Sequence, residues 1–314
     1  ITDQRVHKIA STLSENHYQT LVVGRKLKHS QTIKRHYATH RFRMLFKKGF
    51  AFYAAYNIRL FFFLLFRRFD MLLANDLDTL AANFLVSKIR RKPLIYDSHE
   101  LFTQVPELIH RKKVQHFWQF LESNMMPRIK YLYTVCDSIA CRYNQKYAVD
   151  VKVIRNVPYC YRKSSAIPDI PFPTDKKIVL YQGAVNIGRG LDYVIRAMTY
   201  LNNVYFVVIG DGDVKNELVK LSRDLNVAGK VIFTGRIPFH QLAYLTKYAH
   251  IGISLEENMG LNYYYALPNK LFDYIRAHVP VLASPLPEIR NIVEKHTIGL
   301  TIEQHDAKHI AEKI

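Results

Sequence analysis

The sequence is poor in cysteine, and its three, Cys136, Cys141 and Cys160, form no Cys-x-x-Cys pair and no Cys/His cluster at zinc-ligand spacing. Neither a disulfide framework nor a structural metal is therefore indicated, and a reducing, cytoplasmic setting is expected. Long apolar runs are also missing. The uninterrupted stretch Leu60 to Phe66 is far short of the roughly 20 residues a membrane span requires. There is no low-complexity tract and no short-period repeat. The first residues read as a helix rather than a secretory signal, and a strand with its loop is expected before Ile1. Acidic residues are scarce: 26 Asp and Glu stand against 45 Lys and Arg, for a net charge of +19. The 314 residues, nearly half of them apolar, suffice for two α/β domains with separate cores.

The positive charge is concentrated. Between Asn16 and Phe69 there is no acidic residue, while Arg25, Lys26, Lys28, Arg41, Arg43, Lys47, Lys48, Arg59, Arg67 and Arg68 alternate with Phe46, Phe50, Phe52, Tyr53, Phe61, Phe62, Phe63 and Phe66. Cations mixed with large aromatics suit an anionic bilayer, each cation contributing ~1 kcal/mol near the headgroups while the apolar face inserts. The stretch 25–68 is therefore expected to meet an anionic membrane surface, as a peripheral contact at its inner face. Nucleic acid would attract the same cations but is not the expected partner. A core helix with a solvated basic face is the plainer alternative.

From Tyr18 onward, short β-branched or aliphatic runs alternate with helical-period segments, the pattern of doubly wound α/β sheets. Strands are expected at 19–23, 71–74, 93–96, 131–135 and 151–154, then at 178–181, 204–209, 231–234, 251–254, 280–283 and 299–302. Helices are expected at 4–15, 47–66, 77–88, 112–126, 137–147 and 191–200. Between the two series, Asn156 to Lys177 carries Pro158, Pro168, Pro171 and Pro173 and reads as a linker. Two Rossmann-like domains, 1–160 and 161–314, should face a central cleft lined by the carboxyl ends of their strands.

Four segments could carry chemistry. Tyr181-Gln-Gly-Ala-Val-Asn-Ile-Gly-Arg-Gly-Leu191 follows a strand and opens a helix. Gly183, Gly188 and Gly190 allow backbone N–H groups to approach an anion, and Arg189 offers a fork for phosphate oxygens. An ordinary glycine turn is the alternative. Ile209-Gly-Asp-Gly-Asp213 has Asp-x-Asp spacing, but glycine and aspartate are the usual materials of a strand-to-helix turn, and no metal is assigned. In Glu256 to Tyr274, a Pro-Asn start puts Lys270 in the first turn of a helix and Asp273 one turn on, along the same face. The pair could present a lysine to phosphate and a carboxylate to ribose, or form an i, i+3 salt bridge. Finally, Asp97, His99 and Glu100 end a first-domain strand, where His99 could carry a proton, bind an acceptor hydroxyl, or be satisfied within a turn.

Taken in order, Asp3-Gln-Arg-Val-His-Lys8, Asp76-Leu-Asp-Thr-Leu80, Tyr96-Asp-Ser-His-Glu-Leu-Phe102, Arg155-Asn-Val-Pro158, Gly188-Arg-Gly190, Gly210-Asp-Gly212, Phe233-Thr-Gly235 and Gly260-Leu-Asn-Tyr-Tyr-Tyr-Ala-Leu-Pro-Asn-Lys-Leu-Phe-Asp-Tyr274 give the chain a resemblance to family 4 glycosyltransferases, particularly bacterial members that build surface or exported glycans. The resemblance implies the GT-B fold and transfer of a sugar, with retention and without a metal, from a nucleotide diphosphate sugar to a glycan or lipid-linked acceptor. It implies that Arg189 and Lys270 grip the diphosphate, with Gly183, Asn186 and Gly188 beside them. Asp273 and Glu257 fall at the two carboxylates of the family's E-x7-E motif, Asp273 holding the ribose. Backbone at Gly260, Leu261 and Asn262 would face diphosphate and sugar, backbone near Gly235 and Arg236 the base, and His99 the reacting sugar.

The chain departs from the family at three points. Asp273 is a methylene shorter than the usual glutamate, and fifteen residues rather than seven separate it from Glu257. Ala184 replaces a common arginine. The first strand and the long C-terminal helix of the family are not represented. The alternatives are a nucleotide-sugar epimerase on the same fold, or a non-catalytic basic module that binds membrane or nucleic acid.

Overall fold

The computed structural model describes residues 3–28, 30, 32, 34–109, 111–159, 169 and 171–314; Cys160 and Pro168, with part of the proline-rich segment, lie outside them. The elements in chain order are α1 (Gln4–Glu15), β1 (Leu21–Lys26), β2 (Ala38–Arg43), α2 (Gly49–Leu65), β3 (Leu72–Asn75), α3 (Leu77–Arg90), β4 (Leu94–Ser98), α4 (Pro106–Ile109), α5 (Lys112–Met125), β5 (Tyr131–Thr134), α6 (Asp137–Tyr147) and β6 (Val151–Val153). They continue with β7 (Lys177–Gln182), α7 (Leu191–Ala197), β8 (Val204–Ile209), α8 (Lys215–Asp224), β9 (Val231–Gly235), α9 (Phe239–Leu245), β10 (Ile251–Ser254), α10 (Leu261–Tyr264), α11 (Asn269–Ala277), β11 (Val281–Ala283), α12 (Pro287–Lys295), β12 (Gly299–Thr301) and α13 (Ala307–Lys313).

The chain divides into two compact units. One comprises the residues up to Thr103 with Lys113–Thr134 and Ala140–Ile154; the other comprises Gln104–Lys112, Val135–Ile139 and Arg155–Ile314. In the first, β3, β4, β5 and β6 form a parallel sheet in sequential order, and β1 pairs with β2 in a separate parallel ribbon. The Asp3 side chain caps α1 by accepting from Val6 N at 3.0 Å, satisfying one of the donors a helix start leaves unpaired. In α3, Asp78 stands in the first turn and Lys88 and Arg90 in the last, the arrangement the helix dipole favours.

The second unit has strand order β12-β11-β10-β7-β8-β9, all pairs parallel. Numbered within the unit, this is the 3-2-1-4-5-6 order of a dinucleotide-binding sheet, and its topological switch point lies between β7 and β10. Both faces are covered. Val179, Tyr181, Phe206 and Val208 pack under α7, α8 and α13, while Ile178, Leu180, Val207 and Ile209 pack under α9, α11 and α12. The period-2 alternation of a strand sends neighbours to opposite cores, so β8 reads Val-Tyr-Phe-Val-Val-Ile with no polar face.

One strand escapes the sequence pattern. Strand β2, Ala-Thr-His-Arg-Phe-Arg, has one buried apolar residue, Phe42, and no apolar alternation to mark it; its pairing with β1 from Leu21↔Ala38 to Lys26↔Arg43 supplies what its composition does not. The expected strand at 19–23 lies at Leu21–Lys26 for the same reason: the pairing carries it on through Gly24, Arg25 and Lys26.

Candidate functional site

In open α/β sheets, ligands bind beyond the carboxyl ends of the strands at the switch point. In the second unit that place is made by the loops after β7 and β10, with the loop after β8 alongside. Gly183 N donates to Ile209 O at 3.0 Å, Val185 N to Asp211 O at 3.1 Å, and Glu257 N to Gly188 O at 3.0 Å. Glycine is required where these loops touch. Gly190 has φ +66°, and a Cβ there would stand 2.3 Å from Leu255 O; at Gly210 a Cβ would stand 1.8 Å from Gly183 O.

The loops converge on three charged side chains. Arg189, from the loop after β7, has its guanidinium 4.8 Å from the centroid of the Tyr263 ring and NH1 3.6 Å from Glu256 Oε1. Lys270, on the first turn of α11, has Nζ 2.5 Å from the same oxygen and 4.1 Å from the centroid of the Tyr181 ring. Glu256 is fully buried, and Ser254 Oγ donates to its Oε2 at 2.8 Å. Burial alone would raise the Glu256 carboxyl, but Lys270 and Arg189 hold it below the usual carboxylate range. Burial pulls Lys270 down to about 8; Glu256 opposes this and Arg189 adds to it. At neutral pH the cluster carries two positive charges and one negative. Among the described residues, Arg189 Nε is buried without a partner, an unmet donor of the kind a ligand satisfies.

The structure brings Arg189 and Lys270 together, as expected, but around Glu256 rather than Glu257. Side chains two residues apart in an extended chain share a face, so Glu256 follows Ser254 inward. The Glu257 carboxyl instead lies beside Asp192 and His305, and burial with Asp192 raises its pKa. Lys270 and Asp273 form no i, i+3 pair with each other. Asp273 accepts from Gln182 Nε2 at 3.0 Å and from Arg276 NH2 at 3.0 Å, and Gln182 Oε1 in turn accepts from Thr246 Oγ1 at 2.8 Å. Each carboxylate oxygen of Asp273 thus has a protein partner.

The other expected residues surround this cluster. Gly183 and Gly188 lie in the loop after β7, as does Asn186, whose Oδ1 accepts from Asp213 N at 3.4 Å. Gly260 caps α10, which starts at Leu261 and buries Asn262. Gly235 ends β9, and Arg236 beside it is exposed, 3.9 Å from Asp211 Oδ2. Among the described residues, no group of three His, Cys, Asp or Glu side chains could hold a metal.

A second constellation ends the first unit's sheet. Asp97, at the end of β4, is fully buried and accepts from Arg5 Nε at 2.9 Å and Arg5 NH2 at 2.8 Å. His99 lies between two carboxylates: Nε2 is 3.0 Å from Asp97 Oδ2 and Nδ1 is 3.1 Å from Asp76 Oδ2. His99 N also donates to Asp76 Oδ1 at 2.8 Å. Asp76 pays for these contacts with backbone strain, at φ +58°, ψ 166°, a region almost confined to glycine. Burial works against charging His99, but the hydrogen bonds and charges of Asp76 and Asp97 push it up to about 10. It is an imidazolium with both N–H groups donated, and has no lone pair to receive a proton. Glu100 enters through its carbonyl, which accepts from Ser98 Oγ at 2.9 Å. Asp76 and Arg5 were absent from the sequence-derived site; their only signal was membership of the first two motifs of the resemblance.

Comparison with known proteins places these units. Residues 163–314 match the family described as Glycosyl transferases group 1. An uncharacterized glycosyltransferase of Methanocaldococcus jannaschii is 26% identical over 156 residues, 48% of this chain and 37% of that protein, so the matched segment spans little over a third of that relative. Among solved structures, sucrose-phosphate synthase from Thermosynechococcus elongatus has a TM-score of 0.77 at 17% identity, over 98% of this chain and 82% of that one. WaaG, a glycosyltransferase involved in lipopolysaccharide biosynthesis, gives 0.67 at 16%, over 99% and 85%. Anabaena HepE in complex with UDP-glucose gives 0.63 at 16%, over 88% and 75%. The fold is GT-B, with parallel α/β sheets.

Proposed function

We propose, from the premise that the second unit carries a group 1 glycosyltransferase domain on a chain of GT-B fold, that this protein is a retaining glycosyltransferase. It moves a sugar from a UDP- or GDP-sugar to a glycan or lipid-linked acceptor in the synthesis of a bacterial surface glycan. The observation that carries the reading is the buried, net-positive cluster of Arg189, Lys270 and Glu256 at the switch point of the second sheet. Two cations and an unmet guanidinium donor suit a diphosphate, whose charge grows as its bond to the sugar breaks. UDP-glucose in HepE and the pathway of WaaG support the donor class and the glycan.

In this reading Arg189 and Lys270 stabilise the departing diphosphate, and no metal is needed to do so. Asp273 holds the ribose. Backbone at Gly260 to Asn262 meets diphosphate and sugar, and backbone at Gly235 and Arg236 meets the base. The acceptor hydroxyl oxygen bonds to the anomeric carbon on the face the diphosphate leaves, the carbon–oxygen bond to the diphosphate breaks, and the hydroxyl proton passes to the departing diphosphate oxygen. Residues 161–314 form the donor side and 1–160 the acceptor side, where His99 acts as a fixed cation beside Asp97 and Glu100 rather than as a base.

The acceptor side also suits an anionic membrane surface. Helix α2 exposes Phe50, Ile58 and Phe62, with Phe66 just beyond its end; Ile58, Phe62 and Phe66 follow at four-residue spacing and so form one stripe. Phe117 and Phe120 on α5 are exposed too, and the rings of Phe50 and Phe117 meet at 5.8 Å. Of the cations in the stretch 25–68, Arg25, Arg59 and Arg67 stack on the rings of Phe52, Phe42 and Phe63. No helix among the described residues is long and apolar enough to cross a membrane. The function is tested by incubating the protein with UDP- and GDP-sugars, with and without lipid-linked saccharides, and reading released nucleotide and product anomer by NMR. Acceptor-dependent release with retained configuration is expected; sugar isomerisation without acceptor would instead mark an epimerase.

A further inference from the structure

The two cations at the switch point do not stand alone, and the anion between them is not one the resemblance assigns. Glu256 is fully buried, 2.5 Å from Lys270 Nζ and 3.6 Å from Arg189 NH1, and its second oxygen is held by Ser254 Oγ at 2.8 Å. Lys270 is itself buried. The groups that face it are Glu256 from the loop after β10, Arg189 from the loop after β7 and the Tyr181 ring from β7. On its own helix, Asp273 is turned to Gln182 and Arg276. A buried ammonium beside a guanidinium loses its proton unless an anion holds it.

We propose that Glu256 is a positioning residue of the diphosphate site, which keeps Lys270 protonated and aims its ammonium at the ligand. The proposal rests on the reading of this cluster as that site. Two effects of the carboxylate oppose each other. As an anion it competes with the diphosphate for both cations; as a partner it preserves one of them. With Glu256 in place Lys270 already titrates near 8. Without it, burial and Arg189 both act to remove the proton, and a neutral amine makes no ion pair with phosphate. The second effect therefore wins at neutral pH.

The experiment is calorimetric titration with UDP, GDP and ADP between pH 6.5 and 9, on the full chain and on Glu256→Gln, Glu256→Asp and Lys270→Arg. Comparing each variant with the unaltered chain at the same pH cancels titration of the nucleotide itself. The unaltered chain should lose up to about tenfold in affinity per pH unit above its lysine midpoint, because one proton is linked to binding. Glu256→Gln should bind about tenfold more weakly at pH 7.5, the worth of one charged hydrogen bond, and recover toward the unaltered chain at pH 6.5. Glu256→Asp should retain most of the affinity, and Lys270→Arg should flatten the alkaline fall. Binding by Glu256→Gln that is equal or tighter at pH 7.5 would overturn the proposal and make Glu256 a mere competitor. If Glu256→Gln does not fold, an alkaline fall that persists in Lys270→Arg overturns it alone. Failure of the unaltered chain to bind any of the three at any pH would bring down the reading of the site as well.

Discussion

Replacing His99 with alanine removes the cation that stands between Asp76 and Asp97. The displacement of its pKa from 6.5 to about 10, at about 1.4 kcal/mol per tenfold change, bounds its contribution to stability at about 5 kcal/mol. Asp97 keeps Arg5 after the substitution and Asp76 is partly solvated, so a loss of about 2 to 4 kcal/mol is expected at pH 6. The sign of the pH dependence follows from the direction of the shift. A group whose folded pKa is raised gives its full stabilisation below the unfolded value, and loses it as pH rises through the folded one. The advantage of the unaltered chain over His99→Ala should therefore be full at pH 6 and shrink between pH 6.5 and 10. Urea unfolding read from Trp118, the single tryptophan, which is buried on α5 of the first unit, measures that difference. Groups remote from His99 that titrate in alkali affect both proteins alike and drop out; Asp78, which burial and Asp76 raise to about 7 and His99 lowers, does not, so the fall is read above pH 8. A difference that does not change with pH, or an NMR titration of His99 centred near 6.5, would refute the imidazolium.

Further outcomes follow from packing and exposure. Gly190→Ala should lower the melting temperature by several degrees, since it combines φ +66° with a Cβ 2.3 Å from Leu255 O; Gly49→Ala, at φ +75° in open space, should cost only about 1 to 2 kcal/mol. The double substitution Ile58→Asp and Phe62→Asp should abolish sedimentation with anionic liposomes, each side chain being worth about 1.5 to 3 kcal/mol when buried, and should leave nucleotide binding intact. Loss of both activities would contradict a membrane face separate from the donor site.

Much of the second unit was legible because strands buried on both faces must be apolar throughout: Val204–Ile209 is recognisable from six letters. The start of α11 was legible too, since Pro268 and Asn269 fix where the helix begins and so where Lys270 sits. What escaped depended on partners distant in sequence. Strand β2 is held by pairing with β1 and has almost no apolar pattern of its own. That Glu256 rather than Glu257 turns toward Lys270 required knowing where β10 ends and which way its last side chain points. The pairing of Asp97 with His99 spans two residues, whereas Arg5 and Asp76 reach the same cluster from 92 and 23 residues away. The resemblance named the loops that the fold brings together; the charges each side chain meets came from the fold.

The central claim, that Arg189 and Lys270 form the diphosphate grip of a nucleotide-sugar site, is tested most directly by calorimetric titration with UDP, GDP and ADP of the unaltered chain, Arg189→Ala and Lys270→Ala. The account predicts saturable binding of one nucleotide, weakened about tenfold or more by either substitution. Absence of binding to all three by the folded chain, or binding indifferent to both substitutions, would contradict it.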